Sequence, residues 1–248
     1  MLGIIGGTGL TQLANLEITH RQVIRTPYGE ASGALTFGKI KDHEVVFMAR
    51  HGYGHSIPPH EVNYQANMWA LQAQGVKNIV AIAAVGGIHP DYLPGSIVIP
   101  DQIIDYTHGR KATYFDGNHR SVTHVDFTEP YCEMMRQQCM KAATMAGEKF
   151  TDGGVYAAVQ GPRLETAAEI DRLDRDGATM VGMTGMPEAV LARELGLCYS
   201  TIAVIANHAA GRHSSKHAIS FDEINAVLSG AMQRVRLILE HLVGLDGD

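Results

Sequence analysis

The chain has 248 residues, with 20 Lys and Arg against 26 Asp and Glu, and a formal net charge of −6 with histidine neutral. At 45% hydrophobic and 19% charged the composition is globular; disorder is not expected, and the acidic balance argues against a nucleic-acid partner held through its phosphate backbone. No apolar run reaches the roughly 18 residues of a membrane span, and residues 1–248 are expected to form a single domain.

The opening segment MLGIIGGTGL reads as a short buried strand running into Gly6-Gly7-Thr8-Gly9. It lacks the basic region and long apolar run of a signal peptide, and a cytoplasmic protein is expected. A glycine loop after a strand presents backbone N–H groups to an anion, and Thr8 adds a hydroxyl. The dinucleotide fingerprint is not completed, because Gln12 stands where the third glycine is required. A plain tight turn is the competing reading.

Further strands are expected over 34–40, 44–48, 78–84, 96–99, 154–160, 179–182 and 198–206. Near-continuous apolar runs such as IVAIAAV and STIAVIA suit strands covered on both faces of a mixed or mostly parallel sheet. Helices alternate with them. One is expected over 62–74, and one over 130–146 with Pro130 in its first turn and Gly147 beyond it. Thr166 and Glu169 form a capping box for a helix ending near Gly177, and another helix spans 187–195. Ser220 and Glu223 repeat the box before a long helix with an apolar stripe at Ile224, Val227, Leu228, Ala231, Val235, Ile238 and Leu242. The class is therefore α/β, a central twisted mixed sheet flanked by helices. Cys132, Cys139 and Cys198 make an odd count with no C-x-x-C, so reduced thiols are expected.

Chemistry-bearing residues collect where strands end, which is where open α/β sheets build ligand sites. Arg50 and His51 close the strand EVVFMA and suit a tetrahedral oxyanion, the first as a fixed fork and the second as a further donor. His51, His55 and His60 invite a metal, but His60-Glu61 leads to Tyr64 where H-E-x-x-H needs histidine, and no metal is expected. Ala83-Ala84-Val85-Gly86-Gly87 ends a strand in side chains small enough for a ligand to reach backbone amides. Glu165 could accept from a heterocycle N–H or, alternatively, stabilise a helix dipole. Met183 could lie against a sugar or fill core, and Thr184 could bind an anion. Asn207 ends the strand CYSTIAVIA; its amide both donates and accepts, as a purine O6 and N7–H require.

In chain order these motifs are IIGGTGL, RHG with PPHEVNYQAN downstream, AAVGG, PGSIVIPDQIID, VQGPRLET and GMTGMPEAVLARELG. Together they resemble the trimeric branch of the purine nucleoside phosphorylase and methylthioadenosine phosphorylase family. The resemblance implies phosphorolysis of an N-glycosidic bond, with inorganic phosphate as co-substrate and neither cofactor nor metal. It implies a phosphate pocket of Gly6, Thr8, Arg50, His51, the Ala84 N–H and Thr184, with Met183 against the ribose. Ala83 stands where methylthioadenosine members tend to carry threonine. The pair Glu165 and Asn207 matches the 6-oxopurine members, whereas adenine-specific members carry Ser and Asp there and a second Asp where this chain has Ala209.

The same resemblance places His55, Phe221 and Ile224 around the sugar 5′ group, where methylthio members have an apolar pocket; Asn225 is a polar intrusion. His119 is the candidate to reach that end from a neighbouring subunit, and a homotrimer is implied. An apolar 5′ end with a 6-oxopurine end makes S-methyl-5′-thioinosine the expected substrate. The rivals are a methylthioadenosine phosphorylase, an inosine or guanosine phosphorylase, and a nucleotide-binding regulatory module without chemistry.

Overall fold

The computed structural model describes residues 1–117 and 121–246. In chain order the strands and helices are β1 (Leu2–Gly6), β2 (Glu17–Gln22), β3 (Leu35–Ile40), β4 (His43–Ala49), α1 (Tyr64–Ala73), β5 (Asn78–Gly87), β6 (Ile97–Ile99), β7 (Gln102–Asp105), α2 (Glu133–Met145), β8 (Thr151–Asp152), β9 (Val155–Ala158), α3 (Ala167–Arg175), β10 (Met180–Gly182), α4 (Gly185–Glu194), β11 (Cys198–His208) and α5 (Phe221–Leu242). Among the described residues the strands join in one mixed sheet.

Period-two alternation explains the continuous apolar strands. Ile4, Phe47, Val80, Ile82, Ile202 and Val204 point to the face covered by α2 and α5. Ile5, Val46, Met48, Ile79, Ala81, Ala203 and Ile205 point to the face covered by α1 and α4. Both faces are covered, so the side chains along the central strands are mostly apolar, with Thr36, Ser200 and Thr201 as buried polar exceptions.

The sheet is split at its centre. β11 runs parallel to β5 along one edge, from Cys198 opposite Asn78 to His208 opposite Gly87. The other edge is shared: β1 pairs from Asn78 to Ala81, and β10 pairs only at Gly86 and Gly87. Among the described residues no strand pairs with that edge at residues 82–85, so the backbone groups of Ile82 and Ala84, which face it, look into the gap.

Several boundaries differ from the sequence reading. β2, β7 and β8 were not expected; β2 reads EITHRQ and is exposed along its length, so no burial pattern marks it. β9 stops at Ala158, short of the expected 154–160. β5 continues to Gly87 and β11 to His208. α2 starts at Glu133, because Cys132 is extended and its N–H donates to the Tyr199 carbonyl at 2.8 Å. The capping box at Thr166 forms in full, whereas at α5 the Ser220 hydroxyl accepts from the Glu223 N–H without the reciprocal bond. Ile224 and Val227 are only partly buried, while the rest of that stripe from Leu228 to Leu242 is core.

The expectation of reduced thiols is corrected. Cys132 and Cys198 form a disulfide across 66 positions, with Cα atoms 5.1 Å apart, and Cys139 stays free and buried. The backbone bond from Cys132 to Tyr199 brings the start of α2 against the start of β11, a proximity that spacing cannot show. No helix among the described residues is long and apolar enough to cross a membrane.

Candidate active site

A cavity of about 660 Å³ opens at the split in the sheet. Its walls include Thr8, Arg50, His51, His55, Ala84, Glu165, Met183, Thr184, Asn207, Phe221 and Ile224. Among the described residues, every sequence-predicted site residue except Gly6 is therefore in one cavity. A Cβ on Gly6 would meet the Phe47 ring at 2.7 Å, so Gly6 is a packing glycine under β4 and not part of the wall. Gly7 holds the close approach instead: a Cβ there would lie 2.5 Å from the Ile82 carbonyl oxygen and 2.8 Å from Arg50 Nη1. His119 lies outside the described residues.

The end of the cavity at Arg50 is built on that exposed edge of β5. Arg50, 1% exposed, donates from Nη1 to the Ile82 carbonyl at 3.0 Å. Ala84 is two residues on, so its N–H leaves the strand on the same side. Arg50 also donates from Nε and Nη2 to the two carboxylate oxygens of Glu188, each at 2.7 Å. Burial opposes the guanidinium charge, but Glu188 more than offsets it and holds Arg50 protonated. Two of the five guanidinium N–H donors have no protein acceptor among the described residues. Thr184 occupies the N-cap position of α4 but its hydroxyl makes no capping bond.

His51 is neutral in this setting. Burial first, and then the Arg50 charge, lower its pKa to about 4. Its Nδ1 lies 2.8 Å from the Ile57 carbonyl, which can only accept, so Nδ1 carries the proton and Nε2 is an acceptor. In place of the second donor expected at this position, His51 presents an acceptor. The His55 ring stands 4.9 Å from the His51 ring, on the exposed side.

At the other end the β11 ladder slips between Ile205 and Asn207, and this bulge turns Asn207 out of register into the cavity. Its Nδ2 donates to the His208 carbonyl at 2.6 Å. Glu165 is half-buried, and burial, with Glu169 adding to it, raises its carboxyl pKa. The first-turn acid of α3 is Glu169, which completes the capping box and takes a two-toothed bond from Arg163. The helix-dipole reading of Glu165 is thereby removed.

Between the two ends, the Met183 side chain passes over Gly161, where a Cβ would lie 2.5 Å from the Met183 sulfur. Arg110 fixes this junction: Nη1 donates to the Met183 and Met186 carbonyls at 2.7 Å, Nη2 to those of Val159 and Gln160, and Nε to the Gln160 side chain. β9 ends at Ala158, and just beyond it the Val159 N–H donates to the Gly182 carbonyl at 2.8 Å. Phe221, 66% exposed, stands at the mouth with Ile224 and the polar Asn225. Neither Arg110 nor Glu188 carries a sequence signal of its role. Arg110 binds carbonyls, which every residue has, and Glu188 has the sequence position of an ordinary first-turn acid of a helix.

Comparison with known proteins places the chain in a family. The Phosphorylase superfamily profile matches residues 1–244. A probable S-methyl-5′-thioinosine phosphorylase of Pseudomonas syringae pv. tomato is 49% identical over 240 residues, covering 97% of each chain. A 6-oxopurine nucleoside phosphorylase of Pyrococcus furiosus is 47% identical over 220 residues, 87% of this chain and 82% of its own. A methylthioadenosine phosphorylase from Schistosoma mansoni, solved in complex with adenine, superposes with a TM-score of 0.93 at 32% identity, covering 99% of this chain and 91% of that one. With a family profile spanning nearly all of its length and a relative of near 50% identity, this chain belongs to the phosphorylase superfamily.

Proposed function

We propose that the protein cleaves S-methyl-5′-thioinosine with inorganic phosphate, releasing hypoxanthine and 5-methylthio-α-D-ribose 1-phosphate. The observation that carries this reading is the meeting of Arg50, Glu165 and Asn207 in one cavity. A cationic fork at one end suits phosphate. An acid and an amide at the other suit the N1–H, O6 and N7 of a 6-oxopurine. Phosphate is the nucleophile at the anomeric carbon; the C–N bond breaks and its electron pair leaves with the purine. Phosphate held by Arg50, the Ala84 N–H, Thr8 and Thr184 stabilises the ribosyl cation and then captures it. His51 accepts the P–OH hydrogen, which leaves bare phosphate oxygens for attack. Asn207 hydrogen-bonds the departing base as its charge develops, and Glu165 accepts from N1–H.

The chain's own chemistry supplies acid–base and electrostatic groups for every step, with no cofactor. Residues 1–248 act as one phosphorylase unit, in the cytoplasm, where nucleosides and phosphate are available. A homotrimer is part of the reading: Phe221 at the cavity mouth gains cover if a neighbouring subunit, with His119 as the candidate side chain, closes over it. The polar Asn225 beside Ile224 favours a second reading, an inosine or guanosine phosphorylase that binds a 5′-hydroxyl. The test is ultraviolet absorbance during incubation with methylthioinosine. Base release is expected only when phosphate is added; release without phosphate, or none from any nucleoside, contradicts the proposal.

A further inference from the structure

We propose that Glu188 is a positioning residue that trades phosphate affinity for phosphate orientation, by acting as the permanent counter-ion of Arg50. The inference rests on the phosphorolysis reading above and concerns how its anion end is tuned. Glu188 is 1% exposed and spends both oxygens on Arg50. A third bond comes from the Tyr199 hydroxyl to Oε2 at 2.8 Å, and Thr201 donates in turn to the Tyr199 oxygen at 3.3 Å. Tyr199 is itself buried beside Tyr131, with stacked rings 6.1 Å apart. The carboxylate is therefore held from behind by a dry strand, and cannot swing away when an anion arrives.

Two consequences follow. The fork fixes the plane of the guanidinium, so the two free N–H donors point one way only. A buried arginine without an anion would be costly, and Glu188 removes that cost before any phosphate binds. Phosphate thus enters a site whose cation is already neutralised. It binds less tightly than it would to a bare guanidinium, and is held in a single pose. Binding strength given up in the ground state and alignment kept for the reacting state raise turnover.

Charge and fork can be separated by two variants. In Glu188→Gln the charge is lost and phosphate becomes the only counter-ion of Arg50. Calorimetric titration with inorganic phosphate is expected to give a Kd about ten-fold lower than wild type, while kcat falls about ten-fold or more. The phosphate-free variant melts lower than wild type, and saturating phosphate raises its Tm by more than it raises the wild-type Tm. In Glu188→Asp the charge stays but the shorter side chain cannot close the fork; kcat falls while the phosphate Kd stays within about two-fold. A purely structural role lowers Tm equally with and without phosphate, and that result overturns the proposal. So does an unchanged or weaker phosphate Kd in Glu188→Gln. Should that variant not fold, an unchanged kcat in Glu188→Asp overturns it equally. Wild-type protein whose Tm does not respond to phosphate would instead contradict phosphorolysis itself.

Discussion

One Nδ2 hydrogen of Asn207 is committed to the His208 carbonyl, which leaves Oδ1 and the second N–H for a purine. That pair matches N7–H and O6 of hypoxanthine, and mismatches the N6 amino group of adenine. Replacing the amide by a carboxylate removes the donor and leaves an O6 facing a like lone pair. Asn207→Asp is expected to move the kcat/KM ratio of methylthioinosine to methylthioadenosine toward the 6-aminopurine by about two orders of magnitude. An unchanged ratio takes Asn207 out of base selection. His51 makes a prediction about stability. Its folded pKa, about 4, lies below its ordinary value of 6.5, so in this window the unfolded chain binds the proton and the folded one does not. Stability is then greatest above pH 6.5 and falls as the pH drops toward 4, by up to about 3 kcal/mol. Urea unfolding across that range should show the slope, and His51→Gln should flatten it; a slope that survives the substitution assigns it to another group. Of the residues legible in sequence, Arg50, His51 and Asn207 are polar groups at the ends of apolar strands, and Glu165 lies in the loop just before the capping box of α3. Glu188 was not legible because its partner is 138 positions away.

At the scale of elements the cavity exists because β1 and β10 share one edge of β5 and do not meet. Alternation and apolar runs identify the strands, but strand order and the handover at Ala81 and Gly86 come from packing, and no local pattern encodes them. The same is true of the polar edge strand β2, which only its pairing with β3 defines. The disulfide belongs here too. Cys132 and Cys198 tie the start of α2 to the start of β11 and close a loop of 66 positions. Restricting the unfolded chain in this way is worth about 2–4 kcal/mol. Adding a reductant, or the Cys198→Ala substitution, is expected to lower the denaturation midpoint accordingly. Equal midpoints for oxidised and reduced protein exclude a stabilising crosslink.

For the whole molecule, a net charge of −6 coexists with a buried cationic fork at the centre of the sheet. The long-range field is weakly repulsive to anions, so in the proposed function selection for phosphate is a short-range matter of matched donors around Arg50. One cavity holds Arg50 at one end, Glu165 and Asn207 at the other and a partly apolar mouth, and the proposed substrate depends on all three at once. The base end separates methylthioinosine from methylthioadenosine, and the mouth separates it from inosine. The most direct measurement is kcat/KM for methylthioinosine, methylthioadenosine and inosine under saturating phosphate. The highest value is expected for methylthioinosine, by about ten-fold or more over each of the others. A higher value for methylthioadenosine contradicts the roles given to Glu165 and Asn207, and a higher value for inosine contradicts the role given to Phe221 and Ile224.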